Sequence, residues 1–143
     1  MGNREIVLWL VKNPTGFNEG LRTLFDTPGG KSIAIFISDR IADGLDVSWL
    51  WDVDFEMIGA RAPEVTWLLV GGTRGDDMAV RLKYAGLGTK HIERARSFAE
   101  GIDKMRSIAP AGAPVYCFAT YTAMLELRGR LERLGFASPL RDE

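Results

Sequence analysis

The sequence predicts an α/β domain of the Rossmann-like three-layer type, in which a mostly parallel sheet lies between two layers of helices. Short apolar runs of strand length alternate along the chain with stretches that have the apolar period of helices. A chain of 143 residues is the size of one domain, and no repeat, low-complexity tract or linker divides it. We therefore expect a single domain over residues 1–143.

Each predicted strand is an apolar run bounded by polar or glycine residues. The strands are predicted at residues 5–11, 33–38, 66–70, 90–93 and 115–119. One helix is expected to begin at Pro14 behind an Asn13 cap, and others cover residues 76–85, 97–108 and 123–134. On the helix at 76–85 we expect an outward ion pair between Asp77 and Arg81.

Residues 39–56, here called the acidic segment, hold six carboxylates and two tryptophans directly after a buried strand. Asp46 or Ser48 suits the N-cap of a helix that ends before Ala62. Helical spacing predicts one buried stripe formed by Val47, Leu50, Trp51, Phe55 and Ile58. A second, outward face carries Trp49, Asp52 and Glu56, which suits a protein interface or a ligand pocket. Alternatively, Asp46 only caps, Trp49 packs on a neighbouring loop, and the acids form a solvated face.

Composition excludes several classes of function. The 18 basic and 19 acidic residues nearly balance, and no basic cluster suggests a nucleic-acid surface. We expect neither a membrane-spanning segment nor a signal peptide. A single cysteine, Cys117, and a single histidine, His91, leave no internal disulfide and no local zinc site. Cys117 lies in an apolar run and His91 in a polar connection, so an autonomous Cys–His or Ser–His hydrolase is not expected.

Four polar stretches are expected at the carboxyl edge of the sheet, where such domains bind ligands. They are residues 12–16, 39–48, 71–77 and 120–122. Lys12 and Asn13 suit either an anion site at a helix N-terminus or an ordinary cap beside a solvated lysine. The glycine-rich run at 71–75 suits a phosphate loop or a tight turn, without a P-loop pattern. Thr120, Tyr121 and Thr122 suit a carboxylate or phosphate ligand, or a hydroxyl cap.

The acids of the acidic segment have no histidine partner within the chain. A carboxylate used in catalysis needs a metal, a second acid or a histidine that it orients. An outward acid beside an exposed tryptophan therefore suits a histidine on another polypeptide.

Four stretches of the chain resemble a known family. Residues 11–18, 42–52, 77–86 and 119–128 are similar to the C-terminal domain of MurT, the Mur-ligase-like subunit of lipid II isoglutaminyl synthase. The resemblance runs from about residue 6 to residue 135. It implies a role in amidating the α-carboxylate of D-glutamate in the peptidoglycan stem peptide, which gives D-isoglutamine.

The resemblance also implies a partner subunit that carries out a different step of the reaction. A central MurT domain binds ATP and activates the carboxylate, while the glutamine amidotransferase GatD releases ammonia with a Cys–His pair that a MurT aspartate completes. That aspartate is expected to be Asp46, then Asp52, then Asp43, with Trp49, Ser48 and Glu56 at the GatD interface. By analogy with Mur ligases, contacts with substrate or phosphate are expected from Lys12, Asn13, Thr120, Tyr121 and Thr122.

This chain lacks the ATP-binding domain and the four-cysteine zinc ribbon of the complete subunit. We therefore expect an excised C-terminal domain that is inactive alone, with ATP, Mg²⁺ and structural zinc upstream. The complete complex is expected to act on lipid II at the cytoplasmic face of the membrane. Two other hypotheses stay open: a module that only docks the partner, and a free-standing nucleotide-binding domain that uses residues 71–75.

Overall fold

A computed structural model describes residues 6–88, 90–108, 114–135 and 140–142, with only the backbone of 108 and 140–142. It contains six strands, which are β1 (Ile6–Leu10), β2 (Lys31–Phe36), β3 (Val65–Gly71), β4 (Glu93–Arg94), β5 (Val115–Ala119) and β6 (Leu140–Asp142). The α-helices are α1 (Pro14–Phe25), α2 (Glu56–Ala60), α3 (Gly75–Leu82), α4 (Phe98–Ile108) and α5 (Tyr121–Arg133). Short 3₁₀ turns cover Ile41–Asp43, Ser48–Asp52 and Ala62–Glu64, and a π-turn covers Lys83–Leu87.

All strand pairings in the sheet are parallel, in the order β4-β3-β2-β5-β1-β6. The predicted α/β fold class is confirmed. β6 was not predicted, and the short strand predicted at 90–93 instead lies at Glu93–Arg94. The sequence also predicts a loop at residues 110–114, of which residues 110–113 lie outside the described residues.

Helices cover both faces of the sheet, and each face has its own apolar core. On one face, α1, the acidic segment and α3 contribute Phe17, Leu50, Phe55 and Met78. On the other face, α4 and α5 contribute Ile102, Met105 and Leu127. The acidic segment is therefore built into one layer of the domain and is not a loose loop.

The chain leaves β2 and β5 in opposite directions, although these strands are neighbours in the sheet. From β2 it continues outward to β3, and from β5 it passes β1 to reach β6. Such a switch point opens a crevice beyond the carboxyl ends of the two strands. The acidic segment follows β2 and residues 120–122 follow β5, so both lie at this crevice.

A close approach of two backbones fixes α2 beside the π-turn. A Cβ on Gly59 would lie 1.9 Å from the carbonyl oxygen of Ala85. Gly86, in the π-turn, has φ of +106°, a conformation that favours glycine. These glycines let α2 pack directly on the π-turn that follows α3.

Candidate functional site

Three of the predicted rim loops are joined by hydrogen bonds. The amide of Ser38 donates to Oγ1 of Thr120 at 2.9 Å, which links the loops after β2 and β5. The amide of Asp39 donates to Oγ1 of Thr73 at 3.0 Å, which links the loops after β2 and β3. The fourth loop contributes Lys12 to a pocket that Thr120 also lines. The predicted convergence of these loops is confirmed.

Asp43 joins the acidic segment to the N-terminus of α5. Its Oδ1 accepts a hydrogen bond from the amide of Thr122 at 2.7 Å, and its Oδ2 accepts one from the Thr122 hydroxyl. Oδ2 also accepts a bond from the amide of Arg40 at 3.1 Å. Both carboxylate oxygens are therefore committed within the domain, and they satisfy a helix amide that has no intrahelical partner.

Asp39 forms a second polar cluster, which sequence reasoning missed. Oδ1 of Asp39 accepts a hydrogen bond from the Thr73 hydroxyl at 2.8 Å, and Oδ2 pairs with Arg74 at 3.2 Å. The Thr73 hydroxyl, and after it Arg74, holds the pKa of Asp39 below its ordinary value. Arg74 also binds the carboxylate of Asp77. No local pattern connects these residues, because Asp39 and Arg74 lie 35 positions apart.

Asp46 is an exposed carboxylate with a fixed orientation. Its Oδ1 accepts a hydrogen bond from the amide of Ser48 at 2.8 Å, at the start of the 3₁₀ turn. The Ser48 amide, and after it the Ser48 hydroxyl, lowers the pKa of Asp46, so the group is ionised at neutral pH. Asp46 lines a pocket of about 260 Å³ together with Leu45, Trp51 and Arg74.

The assignment of the two tryptophans to faces was wrong. Trp51 is 52% exposed, whereas Trp49 is partly buried and its ring centroid lies 6.4 Å from that of Phe17. The predicted helix is replaced by a 3₁₀ turn at Ser48–Asp52 and the short helix α2. A 3₁₀ turn has three residues per turn, so Val47, Leu50 and Val53 are buried and Trp51 faces outward.

Asp52 and Asp54 lie exposed at the end of this turn. Among the described residues, no hydrogen bond or ion pair to the carboxylate of Asp52 is found. The amide of Asp54 donates to Oδ1 of Asn18 at 2.7 Å, so its backbone is tied to α1. The predicted catalytic roles of Asp46, Asp52 and Asp43 stay predictions. The carboxylate of Asp46 is oriented by one backbone amide, that of Asp52 has no described partner, and both oxygens of Asp43 accept hydrogen bonds within the domain.

Arg81 contradicts the expected outward pair with Asp77. Its side chain is only 3% exposed and forms an ion pair with Glu56 at 2.9 Å. It also donates to the carbonyl oxygens of Leu50 and Val53. This pairing lowers the pKa of Glu56, which was predicted at the interface and remains 57% exposed. Helical spacing suggested Asp77 as the partner, but it contains no information on the segment at residues 50–56, which packs against Arg81 in the fold.

The predicted anion-binding residues make mostly internal contacts. Oδ1 of Asn13 accepts a hydrogen bond from the amide of Gly16, which is an ordinary helix cap. Thr120 is buried and Thr122 is held by Asp43, whereas Lys12 and Tyr121 are exposed. Their roles toward a substrate stay predictions.

The glycine-rich run at 71–75 forms a tight turn into α3. Gly72 has φ of +88°, and a Cβ there would lie 2.3 Å from the carbonyl oxygen of Ile37. The first turn of α3 carries Asp76 and Asp77. Two carboxylates at this helix N-terminus disfavour a phosphate in the same place.

Other reactive groups are placed as the sequence predicted. Cys117 is fully buried, and burial raises the pKa of its thiol to about 12. His91 is exposed.

Within the described part of the chain, no group of three or more His, Cys, Asp or Glu residues could hold a metal ion. None of the helices described there combines the length and the apolar composition that a membrane span requires.

Comparison with known proteins identifies the family. The family model described as MurT ligase C-terminal matches residues 10–124, which run from the last residue of β1 to the start of α5 and include the whole acidic segment. The chain belongs to the MurT ligase C-terminal family.

Curated members of the MurT family are much longer than this chain. It is 33% identical to lipid II isoglutaminyl synthase (glutamine-hydrolyzing) subunit MurT of Streptococcus pneumoniae strain R6, over 90% of the chain and 28% of that protein. It is 38% identical to the subunit of the same name in Staphylococcus aureus strain COL, over 57% of the chain and 18% of that protein. The matched region thus spans less than a third of either relative.

Proposed function

We propose that this chain acts as the C-terminal domain of a MurT subunit in a glutamine-hydrolysing lipid II isoglutaminyl synthase. In this proposal it docks a GatD-type glutaminase and supplies an aspartate to the Cys–His pair of that partner. The names of the relatives support the general activity and the existence of a second subunit. Binding of ATP, Mg²⁺ and structural zinc is assigned to the rest of the subunit, and lipid II is its substrate at the cytoplasmic face of the membrane.

The observation that carries the proposal is the arrangement around Asp46. An ionised carboxylate, oriented by the Ser48 amide, lines a surface pocket beside the exposed indole of Trp51. Tyr84 is 74% exposed, and its ring centroid lies 5.7 Å from that of Trp51. An aromatic anchor beside a fixed charge is typical of a protein interface.

The chemistry requires the aspartate to act through the histidine of the partner. A carboxylate that accepts the Nδ1–H hydrogen bond of an imidazole fixes its tautomer and orientation. It also stabilises the imidazolium that forms when the histidine takes the proton of the cysteine thiol. Asp46 suits this role best because its carboxylate is exposed, ionised and oriented by the Ser48 amide. The carboxylate of Asp52 is exposed but has no described hydrogen bond, and both oxygens of Asp43 already accept hydrogen bonds within the domain.

A docking module without a catalytic carboxylate is the second candidate. Three exposed apolar side chains favour it: Leu45 at 66%, Trp51 at 52% and Ile41 at 88% exposure. The acids would then contribute only long-range attraction between the subunits. The two candidates differ in whether turnover within the assembled complex depends on an aspartate.

A titration of the cognate glutaminase with this chain, wild type beside Asp46→Asn, tests both candidates. Asp46→Asn lowers the turnover of the complex if the carboxylate is catalytic and leaves it unchanged if the chain only docks. Glutamine hydrolysis is followed as the chain is added, so that the midpoint reports association and the plateau reports turnover in the complex. Trp51→Ala is expected to raise the midpoint about tenfold or more. Trp49→Ala, the matched control, is expected to lower the stability of the domain because Trp49 packs on Phe17. Absence of any stimulation by the wild-type chain contradicts the catalytic proposal.

A further inference from the structure

We infer that Arg81 is a positioning residue: its guanidinium fixes the backbone that carries Asp46 and Asp52, and thereby sets where a carboxylate of this chain meets the partner. The inference rests on the proposed function for its catalytic consequence. Its structural part concerns this chain alone.

Arg81 binds the carbonyl groups at the end of the 3₁₀ turn. Its Nε donates to the carbonyl oxygen of Leu50 at 3.0 Å, and its Nη2 donates to that of Val53 at 2.7 Å. The backbone amides of Val53 and Phe55 donate to the same two oxygens, at 3.3 and 2.9 Å, so Arg81 adds a second hydrogen bond to each carbonyl. One side chain from α3 therefore closes a turn that lies about 30 residues earlier in the sequence.

The remaining contacts of Arg81 fix the guanidinium itself. Nη1 and Nη2 donate to the two carboxylate oxygens of Glu56, at 3.0 and 2.9 Å. The guanidinium carbon lies 5.0 Å from the ring centroid of Trp51 and 5.2 Å from that of Phe55. This combination uses the planar fork of arginine, and the single ammonium group of lysine cannot reproduce it.

Asp46 and Asp52 lie at the two ends of the turn that Arg81 holds. Asp46 accepts a bond from the Ser48 amide at the start of the turn. Asp52 is its last residue, with no hydrogen bond or ion pair to its carboxylate in the described part of the chain. Its position therefore depends on the backbone that Arg81 fixes. Displacement of a catalytic group by about 1 Å lowers a rate by about a hundredfold.

Arg81→Lys tests the inference, because it keeps the positive charge and most of the apolar stem. The matched control is Arg61→Lys. Arg61 makes the same bidentate ion pair, with Glu64, and lies 5.0 Å from the Phe25 ring, but it donates to no carbonyl of the acidic segment. Glu56→Gln serves as a second, milder variant that removes one charge while leaving both carbonyl contacts in place.

Two measurements are made on each variant. Amide hydrogen exchange of the free chain reports opening of residues 46–56 relative to the sheet. Glutamine hydrolysis by the cognate glutaminase, at a saturating concentration of the chain, reports turnover. For Arg81→Lys we expect exchange in residues 46–56 to rise about tenfold or more while exchange in β2 and β5 is unchanged. We also expect kcat to fall about tenfold to a hundredfold, with the KM for glutamine unchanged, since glutamine binds on the partner.

The outcomes separate this inference from the proposed function. If Asp46→Asn or Asp52→Asn lowers hydrolysis but Arg81→Lys does not, the proposed function stands and the inference is overturned. Unchanged exchange at residues 46–56 in Arg81→Lys also overturns it. If Asp46→Asn, Asp52→Asn and Asp43→Asn all leave hydrolysis intact, the catalytic part of the proposed function fails, and the catalytic consequence of the inference fails with it. The exchange result for Arg81→Lys still decides the structural part. A loss with Arg81→Lys and none with Arg61→Lys supports both.

Discussion

The carboxylate of Asp43 accepts hydrogen bonds from both the amide and the hydroxyl of Thr122, which lies 79 residues further along the chain. The contact spans the switch point of the sheet, from the loop after β2 to the first turn of α5. It makes a residue of the acidic segment the cap of a distant helix. An acid in this position contributes to the fold whether or not it takes part in chemistry.

Asp43→Ala is expected to lower the free energy of unfolding by about 1 kcal/mol, the usual effect of losing a helix cap. The cause is that the Thr122 amide loses its acceptor at the N-terminus of α5. Urea denaturation measures the change. Asp52→Ala is the matched control and should stay within about 0.5 kcal/mol of the wild type, because this exposed side chain has no described partner. Equal effects of the two substitutions would contradict the capping role.

Gly59→Ala is expected to destabilise the domain by about 2 kcal/mol or more, as overpacking does. The added Cβ would lie 1.9 Å from a backbone carbonyl oxygen, which cannot move aside as a flexible side chain can. Gly129→Ala, within α5, is the control: a Cβ there meets nothing closer than 3.7 Å. That substitution should stabilise the domain by up to about 1 kcal/mol through helix propensity. Thermal unfolding of the two variants should therefore shift in opposite directions.

The ion pair between Glu56 and Arg81 predicts a pH dependence of stability. The pKa of Glu56 is lowered from its ordinary value of 4.5 on folding. A lowered pKa means that the pair stabilises the folded state fully above about 4.5, and that this contribution is lost as the pH falls through the folded value. The contribution is small because the carboxylate is more than half exposed.

Glu56→Gln isolates this contribution from those of the other acids. We expect the difference in unfolding free energy between wild type and Glu56→Gln to be largest near neutral pH and to shrink under acidic conditions. Urea denaturation at a series of pH values measures it. A difference that is constant across the series would show that the charge of Glu56 is not what stabilises the fold.

Cys117 is expected to be unreactive toward thiol reagents in the folded protein. Its side chain is buried, and burial raises its pKa to about 12, so almost no thiolate is present near neutral pH. Alkylation by iodoacetamide should then proceed only as fast as the domain opens, and should accelerate in urea. Rapid alkylation under native conditions would contradict the buried placement in β5.

The sheet and its covering helices could be predicted because their signals are local. The apolar runs of β1, β2, β3 and β5 and the Asn13 cap of α1 can be read within a few residues. The candidate site depends on long-range contacts that no local pattern contains. Arg81 was expected to pair with Asp77 four residues away, but it reaches Glu56 and two carbonyl groups 25 to 31 positions away.

The tryptophans show how one local detail changes a surface. A regular helix would have buried Trp51, but the tighter 3₁₀ turn rotates it outward and brings Trp49 against Phe17. Sequence spacing alone does not distinguish the two geometries over a five-residue stretch. The sequence identifies the acids of this segment as a group. Only the fold shows that Asp43 is bonded on both oxygens, that Asp46 is oriented by one amide and that Asp52 has no described partner.

The measurement that tests the central claim most directly is the rate of glutamine hydrolysis in the complex for Asp46→Asn. Asparagine keeps the size of the side chain and an oxygen for the Ser48 amide, so only the charge is lost. Asp54→Asn, another exposed acid of the same segment, is the control. At a saturating concentration of the chain we expect Asp46→Asn to lower the rate about a hundredfold, as loss of an acid–base partner does, and Asp54→Asn to leave it unchanged. An unchanged rate for Asp46→Asn, with association intact, would contradict the assignment of the catalytic carboxylate to Asp46.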